Sequence, residues 1–439
     1  MVGSAGPGDG TTTIGDAPTS SYRPALTLLS SLFFMWGFIT VINNTLLPHL
    51  RSVFELNYTQ TTLIESVWFI AYFVASIPSA KLIERVGYQR AIVTGLTIMA
   101  VGSLMMVPAA RMPSYAVVLT ALFVIASGIT LLQVAANPYV TVIGSQETAS
   151  SRLNLVQAFN SLGTTLAPLF AGFLILGRSK GGTGDGGVLT AAERYADAQS
   201  VILPYIIVAI VLVILAAVIA RFPLPAIGKA SQRSSKVDRA GLSLWKHRNL
   251  VFGVPAIFIY LIAEIGVANL FINFVSQPDV AAITQEEASR FLALLWGGMM
   301  IGRFAGSVLM RRMAPETILA AFSVGAFVLM IITVFASGPV AMWSLILVGL
   351  CHSIMFPTIF ALGIKGLGSL TEEGSGLMIM AIAGGALVVV QGWLADQFGL
   401  QRSFLLTAVC ELYVLFYAVW GSRPTHALPA REVVEAEKS

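Results

Sequence analysis

Residues 222–250, FPLPAIGKASQRSSKVDRAGLSLWKHRNL, set Lys229, Arg233, Lys236, Arg239, Lys246 and Arg248 against a lone Asp238. On both sides of this basic stretch the chain is apolar in blocks of about 20 residues, the length at which a helix rising 1.5 Å per residue crosses a hydrocarbon core of roughly 30 Å. Charged residues make up 11% of the 439 residues and hydrophobic ones 56%, with a mean hydropathy of +0.81. A soluble chain carries about a quarter charged residues, so this composition predicts an all-α polytopic membrane protein.

The blocks predict six spans before the stretch, near 25–50, 60–81, 90–110, 115–142, 152–177 and 201–221. Six more follow, near 251–276, 289–311, 317–337, 341–364, 374–396 and 402–421. Basic side chains also occupy the turns after spans two, four, eight and ten, as Lys81, Arg85, Arg90, Arg152, Arg311, Arg312 and Lys365. On the other side, 178–200 is mixed in charge and 278–290 is net acidic. The positive-inside rule then places both termini and 222–250 in the cytoplasm. The expected organisation is a disordered lead-in over 1–24, a six-helix bundle over 25–221, a linker over 222–250, a second bundle over 251–421 and a tail over 422–439. The lead-in, MVGSAGPGDGTTTIGDAPTSSYRP, has no apolar run of the signal-peptide kind. Cys351 and Cys410 lie in apolar blocks and read as packing residues, not a disulfide.

The halves repeat by pattern. IPSAKLIERVGYQRAI after span two and FAGSVLMRRMAPETIL after span eight each end a helix in a basic turn and start another. AANPYV in span four is answered by MFPTIF in span ten. Two six-helix repeats with a site between them near the midplane is a transporter arrangement.

Polar side chains inside such spans are costly unless they meet a cavity or a partner. Span one carries Asn43 and Asn44, about 100° apart around the helix, so one can face a central cavity while the other braces a neighbour. Span four carries Gln133 and Asn137 on one face, followed by Pro138, which removes a backbone hydrogen bond. Span five carries Asn154, Gln157 and Asn160 at three-residue spacing. Amides both donate and accept, as sugar hydroxyls do, and aromatic faces suit the C–H side of a sugar ring. Trp36, Phe38, Tyr139, Phe159, Trp296 and Phe356 are candidates for that second role; bilayer packing is the competing one. Interhelical hydrogen bonding is the competing role for the amides. Arg303, in MMIGRFAGS, reads as a structural cation.

Two carboxylates stand out within spans. Glu264, in LIAEIGVANLF with Asn269 and Asn273 after it, reads either as a proton carrier or as a hydrogen-bonded structural acid. Glu65, in LIESVWFIAY, reads as exposed at the outer mouth. Metal-ligand clusters, nucleophile elbows and phosphate loops are not found in the sequence, which argues against an enzyme and against a cofactor. The basic residues sit in loops that topology explains, which argues against a nucleic-acid partner.

WGFITVINNTLLPHL, ERVGYQR, LLQVAANPYV, RLNLVQAFNSLG and FPTIFALGIKGLG together resemble the fucose:proton symporter family of the major facilitator superfamily, and more closely its bacterial glucose/galactose transporter branch. The likeness runs over roughly 25–421. It implies the major facilitator fold, with 12 transmembrane helices in two six-helix halves, and uptake of a hexose driven by a cation gradient. In fucose permeases an Asp stands at the position of Asn44 and a Glu at that of Gln133, and both are held to handle the proton. The likeness therefore carries sugar contact to Asn44, Gln133, Gln157 and Asn160, with Asn137, Asn273 and Phe356 added from the residue reading, but not proton carriage. Phe356 stands where fucose permeases have a Tyr.

The expected function is import of glucose and/or galactose by alternating access, acting as a monomer in the lipid bilayer. H+ and Na+ both remain open as the coupling ion, with Glu264 and Glu65 as candidate carriers. Glu84, Arg85, Arg311 and Arg312 are the expected gating residues. The alternatives are a carrier for another monosaccharide such as N-acetylglucosamine or fucose, an uncoupled uniporter, a drug or lipid exporter, and a non-transporting sugar sensor.

Overall fold

The computed structural model describes residues 22–54, 58–111, 114–171, 202–222 and 243–424; within its helices, the side chains of 41–54, 58–65, 168–171 and 285–286 are not described. Most of the lead-in, the basic core of the linker with Lys229, Arg233, Lys236 and Arg239, the 178–200 loop and most of the tail lie outside those residues.

Among the described residues, twelve long helical spans follow in order. They are α1 (Arg23–Phe54), α2 (Tyr58–Val86), α3 (Tyr88–Arg111), α4 (Tyr115–Val142), α5 (Ala149–Ala171) and α6 (Ile202–Arg221), then α7 (Arg248–Val275), α8 (Gln285–Leu309) and α9 (Pro315–Phe335). The last three are interrupted helices: α10 (Gly338–Gly363), α11 (Gly368–Phe398) and α12 (Leu400–Gly421). Ten of the twelve are long and apolar enough to cross a membrane by length and composition among the described residues. Their outward faces carry stripes such as Val324, Val328 and Ile332 on α9, each more than a third exposed. Apolar stripes of that extent fit a lipid solvent and not water.

Burial separates inner helices from outer ones. In α4 and α10, 67% and 78% of the apolar window is buried, against 39% in α6 and α9. The inner pair is the pair that carries the repeated proline. We call the end of the bundle that holds the α2–α3, α4–α5, α8–α9 and α10–α11 turns, with residues 222 and 243–248, the linker end.

Local chemistry sets the helix boundaries. Thr284 and Glu287 form a reciprocal capping box at the start of α8, satisfying two amide donors that the first turn leaves without partners. Pro315 opens α9, where its missing N–H costs nothing. The α2–α3 turn needs Gly87, whose φ of +82° few side chains tolerate.

Arg152, one of the loop charges that orient the bundle, is buried. Its guanidinium donates to the carbonyls of Val140, Thr141 and Ser145. These are carbonyls at and just beyond the C-terminal turn of α4, where a cation is favoured. The start of α5 is thereby fixed against the end of α4.

Candidate functional site

Pro138 and Pro357 have no N–H, so Val134 in α4 and Ser353 in α10 each carry a carbonyl that their own helix cannot satisfy. Both carbonyls are taken from outside. Ser375 Oγ of α11 donates to Val134 O at 3.0 Å, and Arg303 Nε of α8 donates to Ser353 O at 3.0 Å. The helix of α10 is broken at Ser353 and Ile354, one turn before the proline. Arg303 then reaches across to the first half, where its other nitrogen donates to Ser161 Oγ and to Gln157 O of α5. The proline repeat read in the sequence is thus a pair of seams where the two halves are pinned.

The amides lie around these seams. Gln133, Asn137, Gln157, Arg303 and Phe356 sit roughly 8–14 Å from the linker ends of their helices at 1.5 Å per residue. Gln157 Nε2 donates to Asn137 Oδ1 at 3.4 Å, and Gln133 Nε2 to Tyr72 Oη of α2 at 2.5 Å. Asn137 is fully buried, and its Nδ2 has no partner among the described residues. Asn160, half-buried, ties α5 to α1 through Phe33 O at 2.9 Å. That bond requires the helices to touch: a Cβ on Gly163 would stand 2.2 Å from Phe34 O. Asn154 crosses to the second half, donating to Thr358 Oγ1 at 3.2 Å. The structure therefore joins Asn137 to Gln157, sets Gln133 on the same helix face and Phe356 of the other half at a similar depth, and turns Asn160 toward α1 instead.

Other sequence candidates fall elsewhere. Asn273 is exposed, two residues from the end of α7 opposite the linker. Asn44 and Glu65 belong to α1 and α2, but their side chains are outside the described residues. Tyr139 packs on Tyr88 at 5.7 Å between ring centres, and Phe159 meets Phe304 edge-on at 5.8 Å. Trp296 is 38% exposed, as a lipid-facing ring would be. Trp36 is buried against Phe33.

The second half holds ionisable groups at mid-depth. Glu264 is half-buried on α7, and its carboxylate acts on the Tyr260 hydroxyl one turn away. That hydroxyl donates to His352 O at 3.0 Å. His352 Nε2 in turn lies 2.8 Å from Glu411 Oε1 of α12, with the two side chains 2% and 0% exposed. The sequence reading singled out neither His352 nor Glu411. The signal was present, because each is an ionisable residue inside an apolar span.

Hydrogen bonds between the halves cluster toward the linker end among the described residues. Ser151 Oγ donates to Ser307 O at 2.6 Å, and a Cβ on Gly376 of α11 would press on Ala80 of α2 at 2.9 Å. Arg85, Arg311 and Arg312 are exposed there, and Glu84 is half-buried. Hydroxyls, amides, the Arg303 guanidinium and close backbone approach make the described cross-links at this end. A cavity of about 900 Å³, lined by Asp279, Ser337, Gln401 and Arg402 among others, opens at the far end, away from the amides.

The family whose sequence pattern matches residues 28–389 is described as the Major Facilitator Superfamily. A glucose/galactose transporter of Brucella abortus is 46% identical over 404 residues, spanning 92% of this chain and 95% of the relative. The L-fucose-proton symporter of Escherichia coli is 34% identical over 415 residues, spanning 92% and 94%. A crystal structure of the E. coli fucose:proton symporter superposes with a TM-score of 0.83 at 33% identity, covering 92% of this chain and 100% of that one; a second, of the outward conformation, matches equally well. The chain therefore belongs to the major facilitator superfamily and, within it, to the fucose:proton symporter family on its glucose/galactose transporter branch.

Proposed function

We propose that the protein imports a hexose, glucose and/or galactose, by alternating access coupled to a cation gradient. The observation that carries this reading is a set of buried amides on α4 and α5 of the first half, in a chain 46% identical to a glucose/galactose transporter over most of its length. Gln133, Asn137, Gln157 and Asn160 supply donors and acceptors for sugar hydroxyls, and Phe356, still 9% exposed, supplies an apolar face from the second half. Asn44 joins them on the strength of the family likeness. The spare Nδ2 of Asn137 supports a binding role over pure interhelical bracing, because bracing alone leaves a buried donor unmet.

In this reading the linker end is cytoplasmic, as the basic turns require, and both termini lie on that side of the inner membrane. The described cross-links hold that end shut, so the sugar reaches Gln133, Asn137 and Gln157, which are buried here, from the opposite side once the helices above them part; the similar fucose symporter structure is named for its outward conformation. Rocking the halves exchanges closure between the two sides around the bound sugar. Arg85, Arg311 and Arg312, with Glu84, act as the gating charges, and one protomer suffices because each chain holds both halves.

The test is uptake of labelled glucose into proteoliposomes holding the purified protein, with pH and sodium gradients imposed separately. Accumulation competed by galactose is the expected result. Gln133→Leu should reduce uptake at least roughly tenfold, the effect of losing about 1.4 kcal/mol or more of binding, with the folded yield unchanged. No labelled exchange with any hexose would sink the proposal.

A further inference from the structure

We infer that the His352–Glu411 pair is the proton-binding site of this carrier, with Glu264 as its water-facing relay. The inference rests on the cation-coupled reading above. At the two positions where the family likeness puts acids, this chain has Asn44 and Gln133, which cannot titrate. A proton-driven cycle then needs an ionisable group elsewhere, held out of bulk water yet reachable from it.

The pair meets that requirement by geometry. Its two side chains are sealed from solvent and share one short contact of 2.8 Å. With one proton between them the pair is neutral overall, as imidazole with carboxylic acid or as imidazolium with carboxylate. Without that proton a bare carboxylate remains, in a setting where unpaired charge is strongly disfavoured. Glu411 Oε2 has no hydrogen-bond partner among the described residues, so the carboxylate keeps a free position for the exchanging proton.

The titratable and charged groups facing the pair are few. From α7 comes Tyr260, whose ring meets that of His352 edge-on at 5.6 Å; Glu264 of α7 and Arg303 of α8 both act, with Glu411, on its hydroxyl. Cys351 and Cys410 flank the pair within α10 and α12 and feel the Glu411 charge. Between Thr317 and Phe335, α9 carries no titratable residue. Glu264 is the half-buried carboxylate of this set, and so the one through which a proton enters from water.

The pair is also wired to closure. His352 is the last helical residue before the break in α10, and the next carbonyl, Ser353 O, is the one that anchors Arg303. Arg303 is bonded across the seam to Ser161. A change of charge on the pair therefore falls one residue from the anchor that pins the halves together. In the cycle a proton from outside water passes to the pair while the linker end is shut, and leaves to the cytoplasm when it opens. No bond other than that to the proton is made or broken.

The test separates coupling from carriage. In proteoliposomes, His352→Gln and Glu411→Gln should each lose at least tenfold of the sugar accumulation driven by an acid-outside gradient. Each should retain sugar-for-sugar exchange within threefold of the unmodified protein. If one of the two variants is not recovered folded, the other reads the same quantity. Exchange by the unmodified protein that is accompanied by pH-driven accumulation in both variants overturns the inference. So does accumulation by the unmodified protein under a sodium gradient alone. In both cases the sugar-carrier reading stands; only a lack of exchange in the unmodified protein removes that reading itself.

Discussion

At the seam the first half presents amides and hydroxyls, and the second adds to hydroxyls of its own a cation, an imidazole and two carboxylates. The bent helices that frame them, α4 and α10, have the same proline in their later part, yet the freed carbonyls are met differently: a serine hydroxyl on one side, a guanidinium on the other. A neutral set recognises a neutral ligand and is insensitive to pH. A charged set can change its proton content and is poorly suited to lie dry and unpaired in a membrane. Separate duties for the halves follow, with the proposed sugar contacts weighted to one and the proposed proton site to the other. In the fucose branch, by the family likeness, acids stand among the sugar-side positions themselves.

Arg303 is where this division is most easily broken. Arg303→Ala orphans Ser353 O and removes the bonds to Ser161 and Gln157 together. Charge-assisted hydrogen bonds are worth about 1.5–3 kcal/mol each, so uptake should fall more than roughly tenfold. A cysteine probe placed by Ser307→Cys should label faster in that background. Unchanged labelling would mean that the seam is held without the guanidinium.

Asn137→Leu sharpens the distinction between binding and bracing. The substitution removes a buried Nδ2 with no partner and loses only a long 3.4 Å contact with Gln157. The thermal midpoint should stay level or rise by an amount worth about 1 kcal/mol, while hexose uptake falls severalfold. Uptake that survives together with a raised midpoint would return Asn137 to a structural role.

Ser375→Ala is the mildest test. It deletes the one described side-chain bond to Val134 O, at a cost of about 1 kcal/mol, which is a shift of roughly fivefold between the two closures. Labelling of Ser307→Cys should rise by about that factor, with uptake altered no more than twofold. A null result would leave the carbonyl satisfied by another group.

Much of this architecture is legible in the sequence because the bilayer imposes a coarse rule. Apolar length gives the spans, and the six basic side chains of 222–250 divide them six and six. The stripe Asn154, Gln157 and Asn160 is visible because helical spacing places the three residues on neighbouring positions. What could not be read depends on distant pairs. His352 and Glu411 are 59 residues apart, and no local pattern announces that their side chains meet. Arg303 looks structural in isolation, and its role follows only from a carbonyl that a proline 54 residues later sets free. Arg152 reads as a topogenic loop charge until its guanidinium is seen over the last carbonyls of α4.

The proline-freed carbonyl of Val134 has a kinetic consequence. Its donor, Ser375, belongs to the other half, so parting the seam strips that acceptor, whereas Ser353 O keeps Arg303, which lies in its own half, and the guanidinium loses its bonds to Ser161 and Gln157. Water must arrive at those polar groups for the opened form to persist. Reorientation is on this account a wetting event, its barrier set by how readily solvent threads into a narrow crack as well as by the collisions of rigid bundles.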